Sequence, residues 1–157
     1  MLREKLVGGS FGNVPAAHSK RMGAIRGRGN RTTEARFRAI LVRAGIRGWT
    51  LNTKDLQGKP DFFFPAERVA VFIDGCFWHG CPQCGHVPSV NRPFWKAKIE
   101  RNQERDRNTN LLLRQERIQS FRLWEHELLK PSDCLQKLQK LLRMTSRRRS
   151  PPRAPRN

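Results

Sequence analysis

The chain has 157 residues, long enough for one domain with a real core and tails but too short for two comfortable domains. Lys and Arg number 32 against 13 Asp and Glu, a formal net charge of +19 that points to a polyanionic partner, nucleic acid first. No run of eighteen apolar residues occurs and no short apolar stretch follows the N-terminal charges, so no segment is expected to span a membrane and an intracellular, cytoplasmic protein is expected.

Residues 1–18 mix Gly, Ser, Pro and Ala with scattered basic side chains and no sustained period, the composition of a flexible arm. Thr32 or Thr33 can cap a helix in which Phe37, Ile40, Leu41 and Ala44 share one face, with Glu34 in the first turn and Gly45 as the stop. By itself Glu34 there is a carboxylate complementing the helix dipole. Residues 48–52 read as a short strand and 54–60 as a polar turn. Asp61 to Phe64, the turn Pro65-Ala66-Glu67 and the β-branched run Arg68 to Asp74 form a hairpin. An acid opens one of its strands and another closes the second.

Beyond a cysteine-rich loop, residues 91–115 have helical composition, with a possible interruption at Asn108-Thr109-Asn110. Ile118 to Trp124 is a strand candidate. Pro131-Ser132-Asp133 then starts an amphipathic helix carrying Cys134, Leu138 and Leu141. Residues 143–157 hold six Arg, three Pro and no acid, which predicts a disordered tail. The order of elements gives an α/β fold with a mixed β-sheet flanked by helices, its domain spanning 19–142.

The loop Asp74-Gly75-Cys76-Phe77-Trp78-His79-Gly80-Cys81-Pro82-Gln83-Cys84 holds three of the four cysteines. Clustered thiols in a reducing compartment favour metal, and Cys76, Cys81 and Cys84 need one more ligand to close a tetrahedral zinc site. His126, at the end of the last strand, is the best candidate; His86 is a competitor, and the His79 ring is free to face elsewhere. Cys134, alone in a helix, reads as a small buried residue. Asp61, in Gly58-Lys59-Pro60-Asp61, and Asp74 offer hard oxygens of the kind Mg²⁺ prefers. Met22, Phe77, Trp78 and Trp95 form an apolar set able to enter a base stack, Trp95 being equally readable as core beside Ile99.

Several blocks together resemble the very short patch repair endonucleases: Ser19 to Gly27, Leu56-Gln57-Gly58-Lys59-Pro60-Asp61, Val71 to Cys81, Phe94-Trp95 with Asn102-Gln103-Glu104-Arg105-Asp106, and Leu123-Trp124-Glu125-His126. The resemblance implies a restriction-endonuclease-like core, a structural zinc, and a Mg²⁺-dependent nick 5′ to the thymine of a thymine–guanine mismatch left by deamination of 5-methylcytosine. It implies that Asp61 binds Mg²⁺, that His79 manages the proton of the attacking water, and that Glu34 touches the metal's water shell. Cys76, Cys81, Cys84 and His126 fall on the zinc positions, and Met22, Phe77, Trp78 and Trp95 on residues that wedge into double-stranded DNA. Where part of the family has Thr-His, this chain has Ile73-Asp74, so Asp74 is a further candidate for the catalytic site. The rival function is a zinc-stapled DNA-binding module without catalysis.

Overall fold

The computed structural model describes residues 31–51 and 53–149. The N-terminal arm, Met22 and the end of the tail lie outside them. Helix α1 spans Arg31–Arg43, with Glu34 in its first turn. Phe37, Ile40 and Leu41 are its buried stripe, as their spacing demands. It stops at Gly45, whose φ of +67° a side chain would strain. The Gly45 and Ile46 N–H groups fold back onto the carbonyls of Val42 and Leu41, the Schellman closure of a helix end.

Four strands follow: β1 Thr50–Leu51, β2 Phe62–Phe64, β3 Val69–Asp74 and β4 Gln119–Trp124. Their order in the sheet is the order in the chain, β1–β2–β3 antiparallel and β4 parallel to β3. A parallel neighbour needs a crossover, which helix α2, Arg92–Gln115, supplies. A 3₁₀ turn, Glu125–Leu129, and helix α3, Pro131–Arg149, complete the chain. The mixed sheet flanked by helices agrees with the fold read from the sequence.

Strand alternation assigns the faces. Val69, Val71 and Leu123 join Phe62 and Phe64 against Phe37, Ile40 and Leu41 of α1 and Cys134 and Leu138 of α3. On the opposite face, Ala70 and Phe72 pack with Leu113 of α2 and with Ile118. Each fully buried Leu or Phe contributes roughly 1.5–3 kcal/mol, so the first cluster is the main stabilising mass. Toward the C-terminal end of β3 the second face changes from apolar to charged, through Asp74 and Arg122.

Two expectations are corrected. Asn108-Thr109-Asn110 does not interrupt α2, which runs unbroken to Gln115. These polar residues serve the interior: Thr109 is buried against the Gly58 turn, where a Cβ would lie 2.2 Å from Thr109 Cγ2, and Asn110 accepts a hydrogen bond from Arg122. Helix α3 also continues to Arg149, past the boundary drawn at 142. Arginine is a good helix former, and the Thr145 hydroxyl turns back to the carbonyls of Leu141 and Leu142.

Candidate active site and metal centre

The cysteine-rich loop leaves the end of β3 in tight turns. Cys81 N–H donates to the Cys76 carbonyl and Gly85 N–H to that of Cys81, both at 2.8 Å. Glu125 Oε1, from the turn after β4, accepts the Cys76 N–H at 3.1 Å. That brings the neighbouring His126 to the thiols: its Nδ1 is 3.2 Å from Cys76 Sγ, 3.7 Å from Cys81 Sγ and 3.3 Å from Cys84 Sγ, and the last two sulfurs are 3.6 Å apart. A zinc tetrahedron with ordinary bond lengths has edges of about 3.5–3.8 Å. The four ligand atoms all lie within 4.8 Å of one another, and three thiols with one imidazole are a donor set that could hold zinc. Burial, then the neighbouring Cys84, pushes the Cys76 thiol up, so a bound cation is what would make it a thiolate. His86 stands outside the cluster, its ring 6.0 Å from that of Phe77. His126 is therefore the fourth member.

His79 leaves the same loop in another direction. Its Nδ1 is 2.5 Å from Asp106 Oδ2 and 3.7 Å from Asp74 Oδ1. The block Asn102-Gln103-Glu104-Arg105-Asp106 explains how α2 holds the loop. Asn102 Nδ2 donates to the Trp78 carbonyl, Gln103 Nε2 donates to the His79 carbonyl, and Asp106, three residues beyond Gln103 on the same helix face, meets the imidazole. Gly80, at φ +64°, lets the loop lie this close, since a Cβ would stand 2.7 Å from Gln103 Nε2.

Asp61 sits at the mouth of β2. Phe62 pairs with Val71, so continuing the register by one residue puts Asp61 opposite Phe72, on the same face as Asp74. Its Oδ2 accepts the Ile73 N–H at 2.7 Å. Burial pushes the Asp61 carboxyl up to about 6, against the Ile73 hydrogen bond, with Glu34 and Asp74 adding negative potential. Arg122 acts in the opposite sense. A carboxylate oxygen is the hard ligand type that Mg²⁺ prefers.

Asp74 is engaged differently. Both of its oxygens accept from Arg122 Nη1, at 2.7 and 2.8 Å. Asp106 is held below the usual carboxylate range; burial would raise it, but His79, Arg122 and Arg105 outweigh that. Asp74, His79 and Asp106 have the spacing of a metal group, yet a guanidinium already supplies their cation.

Beside the loop, Phe77, Trp78 and Trp95 form a half-buried aromatic cluster with ring centroids 5.0–6.1 Å apart. Phe94 extends it at 5.2 Å from Trp95, and Lys98 Nζ stands 5.5 Å from the Trp78 ring. Sequence reading named neither Asp106, Arg122 nor Phe94 as a site residue. Asp106 carried a signal in its motif block; Arg122, one of three polar residues in β4, carried none.

The family model for DNA mismatch endonuclease Vsr matches residues 13–84. The chain is 43% identical over 118 residues to the type II nicking enzyme V.NaeI of Lentzea aerocolonigenes, covering 73% of this chain and 70% of that protein. The chain belongs to the Vsr family of DNA mismatch endonucleases. Its sheet and flanking helices are the restriction-endonuclease-like core of that family. It is also 37% identical over 109 residues to V.XorIIP of Xanthomonas oryzae, covering 68% of this chain and 78% of that protein. To the DNA mismatch endonuclease Vsr of Escherichia coli it is 37% identical over 94 residues, 59% of this chain and 58% of that one.

Proposed function

We propose that this protein nicks one strand of duplex DNA 5′ to the thymine of a thymine–guanine mismatch, by Mg²⁺-dependent hydrolysis of one phosphodiester. The observation that carries the proposal is the convergence at one end of the sheet of a carboxylate, Asp61, and an imidazole–carboxylate pair, His79 with Asp106. Asp61 would hold the ion with Glu34 contributing to the field around it, and magnesium bound there supplies the charge that polarises a phosphate and eases departure of the leaving oxygen. Ile73 N–H fixes the Asp61 carboxylate and keeps one oxygen committed to the backbone.

His79 manages the proton of the attacking water. With Nδ1–H donated to the Asp106 carboxylate, Nε2 carries the lone pair that can receive a proton and later return it. Phe77, Trp78 and Trp95, with Met22, wedge between base pairs beside the mismatch, and the net charge of +19 draws the duplex in. The Cys76, Cys81, Cys84 and His126 cluster, with zinc, pins the loop that presents the aromatics and His79. A monomer acting in the cytoplasm at the nucleoid is part of the same proposal. No helix among the described residues is long and apolar enough to cross a membrane.

The test is a panel of end-labelled duplexes, fully paired or carrying each single mismatch, incubated with Mg²⁺. A nick confined to the thymine strand of the thymine–guanine duplex is the expected result. Absence of any nick at protein in excess over DNA would leave only a DNA-binding module.

A further inference from the structure

Arg122 lies in the middle of β4, paired with Phe72 and therefore on the Asp74 face, and the chemistry above gives it no part. Its side chain is only 20% exposed. Nη1 donates to both oxygens of Asp74 at 2.7 and 2.8 Å, Nη2 lies 3.2 Å from Asp106 Oδ1, and Nε donates to Asn110 Oδ1 at 3.2 Å. The guanidinium carbon stands 4.7 Å from the centroid of the Phe72 ring. Every nitrogen of the fork is thus spoken for by β3 or α2, and one flat face rests on an aromatic ring. Such a group cannot turn without breaking several charge-assisted bonds.

The consequence falls on His79. Two carboxylates stand near its Nδ1, Asp106 at 2.5 Å and Asp74 at 3.7 Å, and an imidazole N–H can serve only one of them well. Arg122 occupies both oxygens of Asp74 and withdraws it from that competition. It takes only Oδ1 of Asp106, which aims Oδ2 at the ring. Loss of the fork would free Asp74 to swing toward Nδ1 and let the imidazole follow either carboxylate. We infer that Arg122 is a positioning residue for strand cleavage, selecting Asp106 over Asp74 as the partner of His79 and so orienting the imidazole.

This inference rests on the proposed role of His79, and its test separates the two. Single-turnover nicking of a thymine–guanine duplex is measured with Mg²⁺ for wild type, Arg122→Lys, Arg122→Met, Asp106→Asn and the double variant Arg122→Met/Asp106→Asn, with DNA affinity and melting temperature measured alongside. Arg122→Met is expected to lower the cleavage rate about 10- to 100-fold with DNA affinity changed less than about threefold, as for a reacting group displaced by a fraction of an ångström. Arg122→Lys should recover little of the rate, because one ammonium cannot reach Asp74, Asp106 and Asn110 together. In the Asp106→Asn background, the further loss from Arg122→Met should shrink below about threefold, the non-additivity of residues acting through one another.

Full additivity would overturn the inference, as would a loss confined to DNA affinity. If Arg122→Met does not fold, Arg122→Lys decides, and a wild-type cleavage rate in it contradicts the positioning role. A wild-type protein that nicks nothing would instead defeat the proposed function itself.

Discussion

Two groups of side chains that could hold a metal ion draw on the same loop, the first its three thiols with His126 from the turn after β4, the second Asp74 and His79 with Asp106 from α2. Their surroundings differ more than their spacing. The thiol cluster has no Lys or Arg bonded to any of its ligand atoms among the described residues, and its four ligand atoms lie within 4.8 Å of one another. The carboxylate cluster carries its own cation in Arg122, bonded to Asp74 and Asp106 at once. A second positive charge placed there would be repelled, whereas at the thiols it is required. Ligand-like proximity therefore does not decide what a cluster does; the charge already supplied by the fold does. Asp61, half-buried and close to Glu34 and Asp74, is the seat we propose for a divalent ion.

The largest expected effect concerns that seat. Asp61→Asn removes an ionic oxygen ligand but keeps the shape and can still face the Ile73 N–H, so the nicking rate should fall by about 10³-fold or more while mismatch binding in a gel-shift assay stays within about threefold. Survival of nicking would move the ion elsewhere. Asp106→Asn should cost about 10²–10⁴-fold in rate, because an amide no longer offers a charged acceptor to His79 Nδ1 and permits the wrong tautomer. A loss in DNA affinity rather than rate would make Asp106 a strut for the loop instead.

The thiol cluster should answer in another currency. Cys81→Ser is expected to lower zinc content below one per chain and melting temperature by about 10 °C or more, since a closed site couples metal binding to folding. An unchanged melting curve would mean that the cluster is not a staple. Smallest is the support beneath the carboxylate side. Gly58→Ala combines a φ of +77° with a Cβ 2.2 Å from Thr109 Cγ2 and should destabilise by about 1–3 kcal/mol in urea denaturation. A neutral result would show that the turn and α2 separate easily.

Much of the frame was legible because its signals are local. The α1 stripe, the Phe62–Asp74 hairpin and the three-cysteine loop each follow from spacing within a dozen residues. His126 was reachable because few histidines compete for the fourth position. The Arg122 network was not, since it joins β3, β4 and α2 across long separations, and nothing local in a half-polar strand says what an arginine meets. Asn108-Thr109-Asn110 misled for a related reason: polar residues weaken a helix on its own, but here Asn110 and Thr109 make interior contacts that repay their poor propensity. The sequence singled out Asp61 and His79 as candidates, and the structure places Asp106 within hydrogen-bond reach of His79.

The division of labour between the two clusters is tested most directly by X-ray absorption at the zinc edge, recorded on the zinc-loaded protein before and after addition of a thymine–guanine duplex and Mg²⁺. Three sulfur ligands at about 2.3 Å and one nitrogen at about 2.0 Å, unchanged by DNA, is the predicted result. An oxygen ligand appearing on the zinc when the duplex binds would place the chemistry at the thiol cluster and contradict the account.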